Sequence, residues 1–401
     1  MSAALRDDIQ TAGFSAADHR HMGRALQLAR RGLYGTRPNP RVGCVLVQGD
    51  RVVGEGWHQR CGEAHAEVHA IAAAGSQARG ATAYVTLEPC SHHGLTPPCA
   101  DALLSAGVGR VVAATADPNP RVSGAGLARL GDAGVRVGLG LLAAGAQALN
   151  PGFFTRMRRG RPWVRLKLAA SLDGRTALGN GISRWITGAD ARRDVHAWRA
   201  GSCAILTGIE TVLADDPGLT VRDHPALQQM PGQPLRVVLD SRLRLPADAA
   251  LLHAPGAVQV FASAAADRTR VTQLETAGAR VTQLAAGPDQ RLPLPAVLTQ
   301  LGALGVNELL VECGPTLAGA LLEQGLVDEC LLYQAMHVLG DCGRPLFHLP
   351  EWTSMDQRIG FELLDLRRIG TDVRYRLRPD AQPGDGRATL PVSEHSVLPG
   401  E

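Results

Sequence analysis

"HAEVHA" (residues 65–70) and "LEPCSHHGLTPPC" (residues 87–99) decide how the first half of this chain is read. A histidine is followed two places later by a carboxylate, and two cysteines bound a loop rich in proline downstream. Zinc takes cysteine thiolate and histidine nitrogen, and a catalytic zinc keeps three protein ligands plus one water. His65, Cys90 and Cys99 supply three such groups. A zinc there brings the pKa of its water to about 7. Glu67 then suits a proton shuttle, because it stands near the start of a helix two residues after the ligand. Cys99 opens the next helix, where the N-terminal dipole favours thiolate.

Bland alternatives exist for each piece. A structural zinc site usually adds a fourth protein ligand, so the free Glu67 favours chemistry. The order His-Ala-Glu-Val-His excludes the HExxH metalloprotease pattern. His69 is read as a packing neighbour of His65, His92 and His93 as substrate contacts or surface, and Cys44 and Cys61 as packing residues. H-x-E with P-C-x-x-C is the signature of zinc nucleobase deaminases, with the Glu as acid/base. Here eight residues separate the two cysteines. Either that breaks the site, or it marks a longer ligand loop whose path proline and glycine fix.

Working outward, residues 15–31 read as a helix with a capping box between Ser15 and Asp18. "VGCVLVQGDRVVGEGWH" reads as two strands around a turn. Helices are expected at 63–74 and 99–106, with strands at "AYVTL" and "RVVAAT". Alternation continues to about residue 149, an α/β layer pattern. "NPGFFTRMRRGRP" breaks it, so residues 151–162 are expected to be a solvated linker between domains 1–150 and 163–379. The second half is again α/β, with strands at "PWVRLKLAAS", "CAILTG", "LRVVLD", "AVQVFAS", "ARVTQL" and "ELLVEC". "VDECLLYQAM" and "FELLDLRRIGTDVRYRLR" close it. Residues 380–401 are polar and rich in Pro and Gly, and read as a disordered tail.

At 401 residues the chain is too long for one ordinary core. Apolar residues are 45% and charged residues 20%, as in a soluble globular protein. The formal charge is +3, with no basic stripe, which argues against a nucleic-acid partner. No apolar run suits a membrane span, and no secretory signal is visible. Eight cysteines in such a chain read as reduced thiols in a cytoplasm.

A nicotinamide Rossmann fingerprint is absent; "GAGLARLG" (124–131) has the wrong glycine spacing. "LLVECGPTLAGALLEQG" is instead a strand ending at Glu312, then Gly314-Pro315 entering a helix whose free N–H groups suit an anion. Read alone it is an ordinary strand–turn–helix. The loops "KLAASLDGRTALGNGISRWITG" and "GIETVLADDPGLTVR" lie at strand ends, where α/β domains bind ligands.

Together, "HAEVHA", "TLEPCSHHGLTPPCADAL", "KLAASLDGRTA", "SRWITG", "TVLADDPGLTVR", "RVVLDS" and "VECGPTLAGALL" resemble, in order, the RibD family of bifunctional riboflavin-biosynthesis deaminase-reductases. The likeness covers roughly residues 18–375. That family carries the long spacing between the cysteines. Leu95 departs from it, where a basic residue is expected. The resemblance implies a cytidine-deaminase-like three-layer α/β domain, then a dihydrofolate-reductase-like α/β domain. It implies one zinc per chain on His65, Cys90 and Cys99, with Glu67 catalytic. The implied reactions act on a small phosphoribosyl pyrimidine: loss of its 2-amino group, then NADPH-dependent reduction of ribosyl to ribityl. By resemblance, Ala169, Trp185, Thr211, Asp215, Gly314, Pro315, Thr316, Leu317, Ala318, Gly319 and Ala320 line the NADPH site. Lys167, Ser183, Arg199, Leu219, Arg222 and Glu312 fall at substrate positions, with Arg199 and Arg222 expected to grip the phosphate. A homo-oligomer, dimer or tetramer, is expected. The rivals are a tRNA-type deaminase with an accessory domain and a non-catalytic scaffold. Only 4% aromatic residues and balanced charge disfavour the first, and the intact zinc and shuttle residues the second.

Overall fold

The computed structural model describes residues 9–92, 97–120, 122–287 and 289–380. They form two compact units that divide between Arg159 and Gly160. Among the described residues, no helix is long and apolar enough to cross a membrane. The tail expected over 380–401 lies outside the described residues, apart from Asp380.

The first unit runs α1 (Ala16–Arg30), β1 (Gly43–Gln48), β2 (Arg51–Trp57), α2 (Ala66–Ala74), β3 (Thr82–Val85), α3 (Cys99–Ser105), β4 (Arg110–Ala113), α4 (Ala125–Asp132), β5 (Arg136–Leu139), α5 (Ala143–Leu149) and α6 (Pro151–Arg159). Ser15 caps α1 with the expected capping box to Asp18. The sheet order is β2-β1-β3-β4-β5, antiparallel as far as β3 and parallel beyond it. Strand alternation sorts β1 into two cores. Val45 and Val47 meet Met22, Ala25 and Leu28 of α1. Cys44 and Leu46 meet Ala66 and Ala70 of α2 and Leu103 of α3. The result is three layers. A Cβ on Gly56 would lie 2.3 Å from the Ala66 carbonyl oxygen. The glycine in β2 therefore lets α2 press onto the sheet, and this sets the start of α2 beside it.

Two expectations need correction. The second helix begins at Ala66, three residues later than its pattern indicated, with His65 at the cap in extended geometry. The solvated linker is instead mostly the helix α6. Pro151 begins it, as suits a residue without an N–H. Phe153 and Phe154 are buried with Leu87, while Arg158 and Arg159 stay exposed at the C-terminal end, where cations favour the dipole. The arginines masked an apolar side too short to register as periodicity.

The second unit contains β6 (Trp163–Ala170), β7 (Arg175–Ala177), α7 (Ala189–Gly201), β8 (Ala204–Gly208), α8 (Ile209–Asp215), β9 (Leu235–Leu239), α9 (Ala250–His253), β10 (Val258–Ser263), α10 (Arg268–Thr276), β11 (Ala279–Leu284), α11 (Leu294–Ala303), β12 (Glu308–Glu312), α12 (Pro315–Glu323), β13 (Glu329–Gln334), β14 (Arg344–Pro345), β15 (Phe361–Ile369) and β16 (Asp372–Pro379). Its nine-stranded sheet has the order β11-β10-β9-β8-β12-β6-β13-β16-β15. It is parallel from β11 to β13, and the closing β15–β16 hairpin is antiparallel. β7 and β14, which the sequence pattern does not reveal, form a separate small ribbon.

Leu166 and Leu168 of β6 and Leu309 and Val311 of β12 face an apolar core closed by α11 and α12. The alternate positions of the same strands carry the charged residues Arg165, Lys167, Glu308 and Glu312. Arg165 pairs with Glu308 and Glu329, and Arg376 also bonds Glu329. Arg165, Arg374 and Arg376 surround the indole of Trp198 on α7 at 4.7, 5.5 and 5.5 Å from its ring centroid. Such cation–π contacts gain strength when desolvated. The face under α7 is thus a buried ionic layer.

Candidate metal centre and cofactor cleft

The metal cluster is assembled from three short local pieces. His65 is the residue before α2, Cys90 lies in the loop after β3, and Cys99 is the first residue of α3. His65 Nδ1 lies 3.2 Å from Cys99 Sγ and 3.7 Å from Cys90 Sγ. All three ligand atoms fall within 4.8 Å of one another. Ligand atoms around a tetrahedral zinc stand roughly 3.3–3.8 Å apart for bonds of about 2.0–2.3 Å, so the set fits that ion. The Cys99 backbone N–H donates to Cys90 Sγ at 3.3 Å, the helix-start support expected for a thiolate. The Cys99 thiol and His65 also hold Cys90 low, at about 4, and the same sharing of one proton drives Cys99 up. A cation between the sulfurs is what lets both ionise.

Glu67 is buried but is not one of the three converging ligands. Burial raises its carboxyl to about 7, which a metal's charge would lower again. It lines a cavity of about 250 Å³ together with His65 and Cys90. His69 and Cys61 are not in the metal cluster, and Cys44 is packed in the core. His92 does line the cavity. His93 and Leu95 lie outside the described residues.

Several cavity residues were missed: Asn39, His58, Glu88, Asp117 and Asn119. A signal for two of them was present. The pentapeptide "PNPRV" occurs at 38–42 and again at 118–122, and both asparagines reach the same cavity. Asn39 Nδ2 and His58 Nε2 are 3.2 Å apart, and His58 Nδ1 lies 3.1 Å from the Ala64 carbonyl oxygen. Buried Glu88 accepts the N–H groups of Asp117, Gly124 and Gly126 at 3.1, 2.9 and 2.9 Å, which holds the second asparagine loop beside Cys90. Burial pushes Asp117 up to about 6.

Replacing Cys99 by Ala removes one of three ligands and is expected to strip most of the zinc. Metal analysis of the purified C99A protein checks this. Retained stoichiometric zinc would take Cys99 out of the site.

In the second unit, β8 and β12 are parallel neighbours. The chain leaves β8 through α8 toward β9 on one side, and leaves β12 through α12 toward β13 on the other. That divergence is a topological switch point, where open α/β sheets bind ligands at the carboxyl ends of the strands. Gly208 and Gly314 cap the two departing helices, and a Cβ on Gly208 would come within 3.6 Å of Leu317. Pro315 is the first residue of α12, and the Ala318 N–H already bonds the Gly314 carbonyl. The N–H groups left for an anion are those of Thr316 and Leu317.

Part of the expected cofactor set is packed inward. Ala318 is fully buried, and a Cβ on Gly319 would lie 1.9 Å from the His348 carbonyl oxygen. Both serve the packing of α12. Pro315 is also buried, Ala320 is half-buried, and the Thr316 hydroxyl lies 3.1 Å from His348 Nδ1. Thr211 and Asp215 are half-buried on α8. Trp185 is exposed beside the Arg192 guanidinium at 4.3 Å, and Arg184 donates to the Asp215 carbonyl at 2.7 Å. Ser183 is half-buried in the same loop.

Lys167, Arg199 and Glu312 come together. Lys167 and Glu312 are register partners on β6 and β12, and Ala169 follows Lys167 on the same face. Arg199 bonds Glu312 through Nε at 2.6 Å and Nη2 at 2.9 Å, and gives Nη1 to the Thr220 carbonyl at 2.9 Å. The fork expected to grip phosphate is therefore occupied by Glu312; Arg222 remains exposed. Burial lowers Lys167, against the pull of Glu312. Burial would raise Glu312, but Arg199 and Lys167 draw it to about 2. His196, also missed, stands one turn before Arg199 on α7.

Residues 15–115 match the family described as "Cytidine and deoxycytidylate deaminase zinc-binding region", and residues 162–375 match "RibD C-terminal domain". The chain is 50% identical over 368 residues to the riboflavin biosynthesis protein RibD of Escherichia coli, covering 90% of this chain and 99% of that one. It is 45% identical over 374 residues to RibD of Haemophilus influenzae, covering 91% and 98%. Among solved structures, Acinetobacter baumannii RibD superposes with a TM-score of 0.84 at 45% identity, over 91% of this chain and 99% of that chain. A diaminohydroxyphosphoribosylaminopyrimidine deaminase/5-amino-6-(5-phosphoribosylamino)uracil reductase from Thermotoga maritima gives 0.77 at 31% identity, over the same shares.

Proposed function

The chain belongs to the RibD family, and from that membership we infer the division of labour between its two sites. It is a bifunctional enzyme of riboflavin biosynthesis, a zinc-dependent deaminase and an NADPH-dependent reductase. In the reading supported here, the first unit takes 2,5-diamino-6-(5-phosphoribosylamino)pyrimidin-4(3H)-one and water to 5-amino-6-(5-phosphoribosylamino)uracil and ammonia. The second reduces the ribosyl group of that product to ribityl. The observation that carries the reading is a cavity lined by His65, Cys90 and the buried Glu67, with Cys99 converging on the first two as a third zinc-type ligand and Glu67 left outside the set.

His65, Cys90 and Cys99 would hold the zinc, which when bound makes a water nucleophilic near neutral pH. Glu67 takes the proton of the attacking water and gives it to the departing amine. Its burial excludes bulk water from that transfer. Asn39 and Asn119 offer amide groups to the pyrimidine or ribose. In the second unit, Thr316 and Leu317 N–H groups and the Thr316 hydroxyl would receive a cofactor phosphate, and NADPH when bound supplies the reducing equivalents. Lys167, half-buried on β6 beside Glu312 of β12, is placed to deliver the accompanying proton. Glu312, locked by Arg199, keeps Lys167 positioned.

The cofactor assignment is tested at Gly314. A Cβ there would meet no protein atom within 4 Å, so Gly314→Val leaves the fold alone and fills only the space in front of the helix. NADPH affinity is expected to fall at least about tenfold, roughly 1.4 kcal/mol. Zinc content and ammonia release stay near wild type. Equal affinity by fluorescence titration would make the turn a plain strand–helix joint. β15 is an edge strand exposing Leu363 and Leu366, which supports a homo-oligomer. Light scattering is expected to give a multiple of the chain mass, and a monomer mass would remove this expectation. The eight free cysteines accord with a cytoplasmic location.

A further inference from the structure

The segment 216–223, between α8 and β9, carries three non-glycine residues in left-handed backbone: Asp216 at φ 41°, Leu219 at 46° and Asp223 at 48°. Aspartate tolerates that region, whereas a bulky leucine there is strained. Such strain persists only where the surroundings over-determine it, and it clusters at functional sites.

Here the surroundings are three side chains, two from α7 and one from the segment before β9. Arg199 donates to the Thr220 carbonyl at 2.9 Å. Gln233 closes a two-way amide pair on Val221, accepting its N–H at 2.8 Å and donating to its carbonyl at 3.0 Å. His196 Nδ1 accepts the Arg222 N–H at 3.2 Å. Every peptide group from Thr220 to Arg222 is therefore held by a side chain on at least one side. That last bond requires a bare Nδ1, so His196 is neutral with its proton on Nε2. Burial, helped by Arg199 and Arg222, keeps its pKa down at about 4, consistent with that tautomer. The same helix turn that holds the segment through Arg199 also locks Glu312, beside Lys167.

We propose that His196 and Gln233 are positioning residues of the reductase reaction, which pre-organise the 219–222 segment to receive the sugar-phosphate end of the substrate. The proposal rests on the reading that Leu219 and Arg222 are at the substrate site. Neither His196 nor Gln233 needs to touch substrate. Their effect is to remove a conformational cost that binding would otherwise pay, so it falls on KM for the pyrimidine substrate and not on the cofactor.

The test uses the full chain with zinc, assaying NADPH oxidation on the deaminated substrate and, separately, ammonia release. Gln233→Met and His196→Leu are each expected to raise the reductase KM roughly tenfold with kcat changed far less. NADPH affinity and ammonia release should stay at wild-type values. His196→Asn places an amide oxygen where Nδ1 stood and should recover most of the loss. Gln233→Glu keeps the acceptor, loses the donor and should fall between. Arg222→Ala is measured beside them. If Arg222→Ala raises KM while Gln233→Met and His196→Leu do not, the brace is wrong and the site reading stands. If Arg222→Ala also leaves KM unchanged, the segment is not at the substrate site and the proposal falls with it. A His196→Asn protein as impaired as His196→Leu would likewise overturn the role given to Nδ1. Unaltered NADPH affinity in every variant shows that the second unit is folded, and unaltered ammonia release shows the same of the first.

Discussion

Glu67→Gln is expected to cut ammonia release by about 10²–10⁴-fold, the usual worth of a positioned acid–base group. The amide has nearly the same shape and fits the same buried place, but it cannot take a proton from water and pass it on. Zinc should remain at one per chain, because the carboxylate is not one of the three converging ligands. Reduction of separately supplied deaminated substrate should be unchanged, because the cofactor cleft is built wholly from the second unit. The three readouts together are the test. A variant that still releases ammonia within tenfold of wild type would show that another group in the cavity moves the proton; buried Asp117 is the next to examine. Loss of zinc in the same variant would instead make Glu67 part of the metal's support.

Glu329→Gln is expected to destabilise the second unit by about 3–5 kcal/mol, the cost of leaving a buried charge uncompensated. Glu329 is almost fully buried and accepts from Arg165 Nε and Nη2 at 3.0 and 2.9 Å and from Arg376 Nε at 2.7 Å. Removing its charge takes from Arg165 and Arg376 the carboxylate they share beside Trp198, and leaves Arg165 its longer bond to Glu308 at 3.3 Å. Burial alone would raise the carboxyl, but Arg165 and Arg376 overcome it and hold it at about 2, below its ordinary 4.5. A depressed folded pKa gives stability that is present above the unfolded value. That part is lost as pH falls from about 4.5 toward about 2, and the variant should lack this acid-sensitive component. Urea titration of the second unit at pH 7 and pH 4, followed by reductase activity, measures both. A midpoint unmoved at pH 7 would mean that the layer relaxes around the amide and contributes no net stability.

Much of the fold was legible because its elements announce themselves locally. The capping box at Ser15 and Asp18, the β1–β2 hairpin and the apolar strands β8 to β12 all follow from short-range patterning. α6 was not, since four arginines within residues 156–161 outweigh two phenylalanines in any reading of composition. The mini-ribbon β7–β14 was missed for the opposite reason: strands of three and two residues are too short to show a period.

The metal set was legible in the sequence because zinc chemistry needs few residue types, and two short motifs carry all of them. Placing His65 and Cys99 at helix starts then follows from local signals. The reductase cluster could not be read that way. Arg199 and Glu312 are 113 residues apart, and Lys167 meets Glu312 only because β12 inserts between β8 and β6. Resemblance named these residues one by one, but not that Glu312 occupies the Arg199 fork, that Gly319 is packed against backbone, or that His196 and Gln233 hold the segment between Leu219 and Arg222. Period-two patterning says which face a strand residue takes; strand order and register decide which residue it meets, and those are settled by packing the whole sheet.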